Sequence, residues 1–163
     1  MLTVFGSQAL VQRCQWHKRE NIVAYLPKSQ RALWRRKLQA AYERSSYTET
    51  KAALLRLRSE LRLLNESAVT SLDEGLEETL TLHHLGLFRS LGISLKTTNC
   101  IESLNAQLGA YTDKVDRWRT SEQTHRWVAS ALLTIEPRLH RIKGYRHLPL
   151  LRAALQREIA SST

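Results

Sequence analysis

Leucines recur at three- and four-residue intervals through the middle of this chain, and Leu54, Leu57, Leu61 and Leu64 are the cleanest run. That spacing returns a side chain to one side of an α-helix at every turn, whereas a half-buried strand needs strict alternation. Only six glycines and three prolines interrupt 163 residues, so few positions break a helix. A mainly α chain is expected. A second face holds Leu33, Trp34, Leu38, Ala41 and Tyr42, with Arg31, Arg35 and Arg36 on the opposite side. Two later helices are predicted to turn inward Ile101, Leu104, Leu108 and Tyr111, then Leu148, Leu151, Leu155 and Ile159.

Breakers and caps set the boundaries. Pro27 stops a helix that starts near Cys14 and runs to about Tyr25. Thr48 is placed to cap the long leucine helix. Ser71 and Glu74 have capping-box spacing, for a helix that turns Leu72, Leu76, Leu80 and His83 inward. Thr120 with Gln123 caps a helix that reaches Glu136 and breaks at Pro137, and residues 113–119 read as a polar loop. The stretch from Gly86 to Lys96 is an irregular connection or a short helix. Ala9-Leu10-Val11 is the best strand candidate.

The chain carries 25 Lys/Arg against 15 Asp/Glu, a formal charge of +10. Such a balance favours a polyanionic partner, because lysine and arginine release counterions from phosphates. Residues 1–66 hold 13 basic and 5 acidic side chains, residues 67–110 hold 2 and 5, and residues 111–163 hold 10 and 5. An acidic waist thus separates two basic ends. Two cysteines make no disulfide framework, so a reduced cytoplasmic setting is expected. Residues 1–6 lack a signal-peptide pattern, and no apolar run approaches the about 18 residues that span a membrane.

Three constellations bear on chemistry. Glu102, near the start of a helix in Lys96-Thr97-Thr98-Asn99-Cys100-Ile101-Glu102-Ser103-Leu104-Asn105, can supply one carboxylate to a two-metal site of the kind that cuts DNA. The duller reading is a helix cap, because Asn99 and Glu102 also have capping-box spacing. Cys14-x-x-His17 is half of a zinc site, whose other half must come from His83, His84 or Cys100. A buried cysteine beside a hydrogen-bonded histidine is the default alternative. Finally, Lys114, Arg117, Trp118, Arg119, Arg126 and Trp127 cluster between two helices. Arginine with tryptophan suits phosphate contact and stacking on unpaired bases. Trp118, in the loop, is the contact candidate, and Trp127, in register with Val128, Ala131 and Leu132, is expected in the core.

The order Phe5-Gly6, Val11-Gln12-Arg13-Cys14-Gln15-Trp16-His17-Lys18-Arg19-Glu20-Asn21, Tyr25-Leu26-Pro27 and then Thr97-Thr98-Asn99-Cys100-Ile101-Glu102-Ser103-Leu104-Asn105 resembles the Mutator-type family of bacterial insertion-sequence transposases. Asp116-Arg117-Trp118-Arg119-Thr120 and Lys143-Gly144-Tyr145-Arg146 are similar to one branch of it. The resemblance implies an RNase H-like (α/β) catalytic domain with an Asp-Asp-Glu triad and a helical insertion before the glutamate helix. On that pattern Glu102 is the triad glutamate, catalytic and metal-binding, and Cys14 and His17 are the family's Cys-x-x-His pair near the site. Lys96, Thr97, Thr98, Asn99, Asn105, Arg117, Trp118 and Arg119 are the DNA-binding candidates. The implied layout is a residual catalytic-domain strand and Cys-x-x-His helix over 1–26, the helical insertion over 27–96, and the glutamate helix with basic C-terminal helices over 97–163.

Both family aspartates belong upstream of the Cys-x-x-His motif, and no Asp or Glu precedes Cys14 here. The resemblance therefore implies a truncated C-terminal part of the catalytic domain. Mg²⁺ or Mn²⁺ serves the intact family, and none is expected to bind this chain tightly. The expected partners are DNA (transposon ends and target) and a second copy or an intact transposase, with no membrane; the expected location is the nucleoid. Strand transfer in transposition, inactive in this chain alone, is the first reading. A non-catalytic basic helical module that binds DNA or regulates a transposase is the second.

Overall fold

The computed structural model describes residues 9–161, so Phe5-Gly6 lies outside the described residues. Along the chain come α1 (Gln15–Ala24), α2 (Lys28–Tyr42), α3 (Tyr47–Arg62), α4 (Glu66–Asp73), α5 (Thr81–His84), α6 (Phe88–Leu95), α7 (Asn99–Thr112), α8 (Ser121–Ile135) and α9 (Leu148–Ser161), with 3₁₀ turns at Glu77–Thr79, Glu136–Arg138 and Tyr145–His147. Among the described residues there is no strand, and no helix is long and apolar enough to cross a membrane. The chain forms two compact units, one of Met1–Thr97 with Lys143–Thr163 and one of Thr98–Ile142.

In the first unit α1 packs on α2 and α4, and α3 packs on the same two helices, which closes a four-helix ring. Ile22, Val23, Leu26, Trp34, Leu38, Ala41, Tyr42, Leu54, Leu57, Leu61, Val69 and Leu72 meet in its core. The leucine period of α3 therefore reads correctly up to Leu61. Leu64 lies beyond the helix end at Arg62 and is exposed, as is Leu33 on the rim of α2. Arg31 and Arg35 do more than face water. The Arg31 guanidinium donates to the carbonyls of Leu26 (2.9 Å) and Ala24 (2.8 Å), which α1 leaves open at its C-terminus, and Arg35 pairs with Glu20 at 2.8 Å.

Two expected caps lie elsewhere. Ser46, not Thr48, starts α3: its Oγ accepts the Glu49 N–H at 3.2 Å, the Ser-x-x-Glu arrangement in place. The helix expected from Ser71 starts at Asn65, whose Oδ1 accepts the Ala68 N–H at 3.0 Å. Ser71 thus sits inside α4, and the chain turns at Gly75, φ +64°. Leu72, Leu76, Leu80 and His83 do point inward, although from three short elements rather than one helix.

Ala9-Leu10-Val11 is not a strand. The segment 9–14 runs without sheet partners among the described residues and is tied to the turn around Thr79. The Val11 carbonyl accepts from the Thr81 hydroxyl at 2.6 Å, the Arg13 N–H donates to the Glu78 carbonyl at 2.8 Å, and the Gln12 side chain bonds Thr79 and Leu82.

A second cluster joins Leu82, Leu87, Phe88 and Leu91 to Ala154 of α9, with Leu151 beside it. Leu148 and Ile159, expected to face inward, are exposed, and the innermost residue of α9 is Ala154. Lys143-Gly144 fixes the approach to α9. Gly144 has φ +83°, a Cβ there would lie 2.2 Å from the Ser90 carbonyl oxygen, and the Ser94 hydroxyl donates to the Lys143 carbonyl at 2.9 Å.

The second unit is a helical hairpin, α7 against α8. Thr120 caps α8 as expected, its Oγ1 accepting the Gln123 N–H at 3.1 Å. Two helices share a single seam, and only Ala131 and Ile135 are buried in it. Nothing on α7 is buried: Ile101 and Tyr111, expected inside, are exposed, and Leu104 and Leu108 are half-buried. Trp127 is exposed too, so its expected core position is corrected.

Leu54 is fully buried and Leu63 is 86% exposed. Leu54→Ala is expected to lower stability by about 2–5 kcal/mol and Leu63→Ala by no more than about 0.5 kcal/mol, read by urea unfolding. His83 generates a pH prediction. Its Nε2 lies 3.1 Å from the carbonyl oxygens of both Tyr42 and Arg44, so that nitrogen carries the proton, and its ring stacks on Phe88 at 3.8 Å. Nδ1 is buried without a hydrogen-bond partner, and burial pushes the imidazole pKa down. A depressed folded pKa means that the unfolded chain binds the extra proton first, so the stability His83 contributes is present above about pH 6.5 and falls as pH drops below it. The urea midpoint should decline between about pH 7 and pH 5, and more steeply than in His83→Gln.

Candidate nucleic-acid interface

Cys14 stands at the N-cap of α1, and its Sγ accepts the His17 N–H at 3.5 Å. The Cys-x-x-His spacing is thus the spacing of a cap, with His17 in the first turn and its ring edge-on to exposed Trp16 at 4.9 Å. Residue 15 ties this helix to the end of α6, because the Gln15 N–H donates to the Lys96 carbonyl at 2.8 Å. A cleft of about 170 Å³ opens there, lined by Trp16, Arg19, Tyr42, Glu43, Lys96 and Thr97. The Lys96 ammonium bonds Glu43 at 2.6 Å and lies 5.6 Å over the Phe88 ring. Any phosphate at Lys96 competes with that carboxylate. Tyr42 remains a neutral phenol, its pKa pushed up to about 12 by burial.

The helix that Cys14 caps is tied to the segment 74–79 by two polar residues that are almost wholly inside. The Gln15 amide donates to the Thr79 carbonyl at 2.9 Å, and the Lys18 ammonium donates to the Glu74 carbonyl. Burial lowers the Lys18 pKa, against the pull of Glu74. Arg13 completes the attachment, bonding Glu78 at 2.5 Å and Glu74 at 3.1 Å. Glu74, expected in a capping box, serves this pairing instead, and Arg13 holds its carboxyl below the ordinary range.

In the second unit, Glu102 is exposed in the first turn of α7. The Thr98 hydroxyl donates to its Oε1 at 2.5 Å, and the Glu102 N–H donates to the Thr98 carbonyl at 2.9 Å. Thr98, Glu102 and Asn105 fall at i, i+4 and i+7 and share one side of the helix. Asn99 and Asn105 are exposed. Arg117 and Arg119 are exposed in the loop between α7 and α8, where the Arg119 N–H donates to Gln123 Oε1 at 3.0 Å.

Trp118, the expected contact residue, is half-buried, edge-on to Trp127 with ring centres 6.4 Å apart. The Trp127 indole N–H donates to the Tyr111 carbonyl at 3.0 Å, and Arg138 donates to the Tyr111 hydroxyl at 2.7 Å. Periodicity hid the exposure of Trp127 and Tyr111, since both fall in apolar register. The one available signal was the dense run of cations around them.

Among the described residues, no three His, Cys, Asp or Glu side chains come together as a metal site. A pair of divalent ions needs several converging carboxylates, so the donors around Glu102 do not fit that group by themselves. Zinc fares no better on this chemistry: Cys14 is occupied as a cap, His83 faces two backbone carbonyls, and His84 lies 3.6 Å from Glu158.

Comparison with known proteins agrees with the motif order. No curated protein and no solved structure gives a significant match. The family model described as "Transposase, Mutator family" matches residues 2–136. That span takes in the capped Cys-x-x-His helix, the helical ring, the Glu102 helix, the basic loop and α8 up to Glu136. The chain belongs to the Mutator family of transposases.

Proposed function

We propose that this chain serves DNA transposition as the C-terminal part of a Mutator-type catalytic domain, contacting DNA chiefly through its second unit and bringing Glu102 to the reacting centre. The observation that carries this reading is an exposed acid in the first turn of α7, oriented by the Thr98 hydroxyl, inside the segment that the family match covers. Thr98 is the N-cap of α7, so its hydroxyl holds the acid within the helix's own first turn, and the reading rests on that acid being exposed at the matched motif position.

In this reading α1 and α7 are pieces of an RNase H-like domain, and residues 27–96 are its helical insertion. Arg117 and Arg119 neutralise backbone phosphates, Asn99 and Asn105 offer amides to the DNA, and Lys96 and Thr97 add contacts from the end of α6. Such contacts fix register on the duplex without reading sequence. Glu102 is one of the acids of a Mg²⁺ or Mn²⁺ centre that supports DNA cleavage and strand transfer. The remaining carboxylates come from outside these residues, so this chain alone binds DNA without cutting it and holds no divalent ion tightly.

Binding to a short duplex, followed by fluorescence anisotropy across a salt series, should weaken steeply with salt. Arg117→Ala and Arg119→Ala should each reduce the log–log salt slope by about 1. Glu102→Gln should leave binding within about twofold, and neither form should nick duplex DNA in Mg²⁺ or Mn²⁺. Metal-dependent nicking that disappears in Glu102→Gln would show that the chain is an enzyme in its own right.

A further inference from the structure

Resting on the DNA-binding reading above, we propose that Trp127 is a stacking platform for an unpaired nucleotide, with Trp118 as its buttress and Arg117, Arg119 and Arg126 receiving the flanking phosphates. Trp127 is 48% exposed although it falls on the apolar side of α8. Its orientation is nonetheless fixed. The indole N–H is committed to the Tyr111 carbonyl at 3.0 Å, and the Trp118 ring meets it edge-on at 6.4 Å and 74°. Tyr111 is itself held, its hydroxyl accepting from Arg138 at 2.7 Å. A large aromatic side chain left half in water yet locked in place is organised for a flat partner, because it loses little freedom on binding.

The charge around the ring selects among flat partners. Arg117 and Arg119 flank Trp118 in sequence, are exposed, and form no ion pair among the described residues. Arg126 precedes Trp127 and reaches Glu122 only at 3.9 Å, with both side chains about three-quarters exposed. Such a pair holds its cation weakly. Aromatic faces interleaved with available guanidinium groups match a strand whose bases are free to stack and whose phosphates alternate with them. In an intact duplex each base already stacks on its neighbours, so the indole face gains nothing from paired DNA. The site is therefore suited to single-stranded overhangs or displaced bases of any sequence, since every base presents a π face.

The test compares a short blunt duplex with the same duplex carrying a single-stranded thymidine overhang, using the whole chain and fluorescence anisotropy. The wild type should bind the overhang duplex more tightly. Trp127→Ala should weaken overhang binding by about 5- to 150-fold and leave blunt-duplex affinity within about twofold. Trp127→Phe, which keeps an aromatic face, should retain most of the preference and guards against loss of the hairpin; circular dichroism reports the fold of both variants. An equal affinity for the two duplexes in the wild type, or a preference that survives Trp127→Ala, overturns the platform while leaving DNA binding intact. Binding to neither duplex overturns the proposed function itself, and the platform with it.

Discussion

The Thr79 peptide holds the first unit together. Its carbonyl accepts from the side chains of Gln12 and Gln15, and its hydroxyl donates to the Leu76 carbonyl at 2.6 Å and meets the Tyr42 hydroxyl at 3.3 Å. Around it Lys18 and Arg13 reach the carbonyl of Glu74 and the carboxylates of Glu74 and Glu78. Buried polar groups of this kind are costly unless each finds a partner. Here the partners all lie in one turn, so α1 can settle against α4 in only one register. That register closes the helical ring and puts the Cys14 cap beside Lys96.

The two sequence motifs are therefore held by different means. The Cys-x-x-His helix is anchored by buried hydrogen bonds, with Ile22 and Val23 filling the core below it. The Glu102 helix has no buried residue at all. Its acid, amides and neighbouring arginines are presented on a hairpin whose seam fully buries only Ala131 and Ile135. A well-buried core in the first unit and exposed polar groups in the second accord with the proposed contact with a polyanion.

Much of the helical ring was legible because its determinants are periodic. Trp34, Leu38, Leu54, Leu57 and Leu61 mark their faces unambiguously, and Pro27 marks a boundary. Capping was read less well. Ser46–Glu49 and Ser71–Glu74 have identical spacing, yet the first is a cap and the second lies at the end of a helix that Asn65 had already started. Spacing cannot tell the two apart, because the outcome depends on where the preceding turn leaves the chain. The strand at 9–11 failed for a related reason: an apolar run followed by Gln12 and Arg13 is extended in either case, and only the distant Thr79–Leu82 segment decides what its backbone bonds. The family was read through motif order rather than period. The exposure of Trp127 was missed because apolar register implies burial only where a second layer exists to cover it.

Amide hydrogen exchange on the whole chain, with and without a saturating short duplex, tests the placement of the DNA most directly. Slower exchange should appear in the first turns of α7 around Glu102 and in the loop carrying Arg117 and Arg119, with α2 and α3 unchanged. Saturated binding with no change across residues 98–120, and protection confined to the helical ring, would contradict the account.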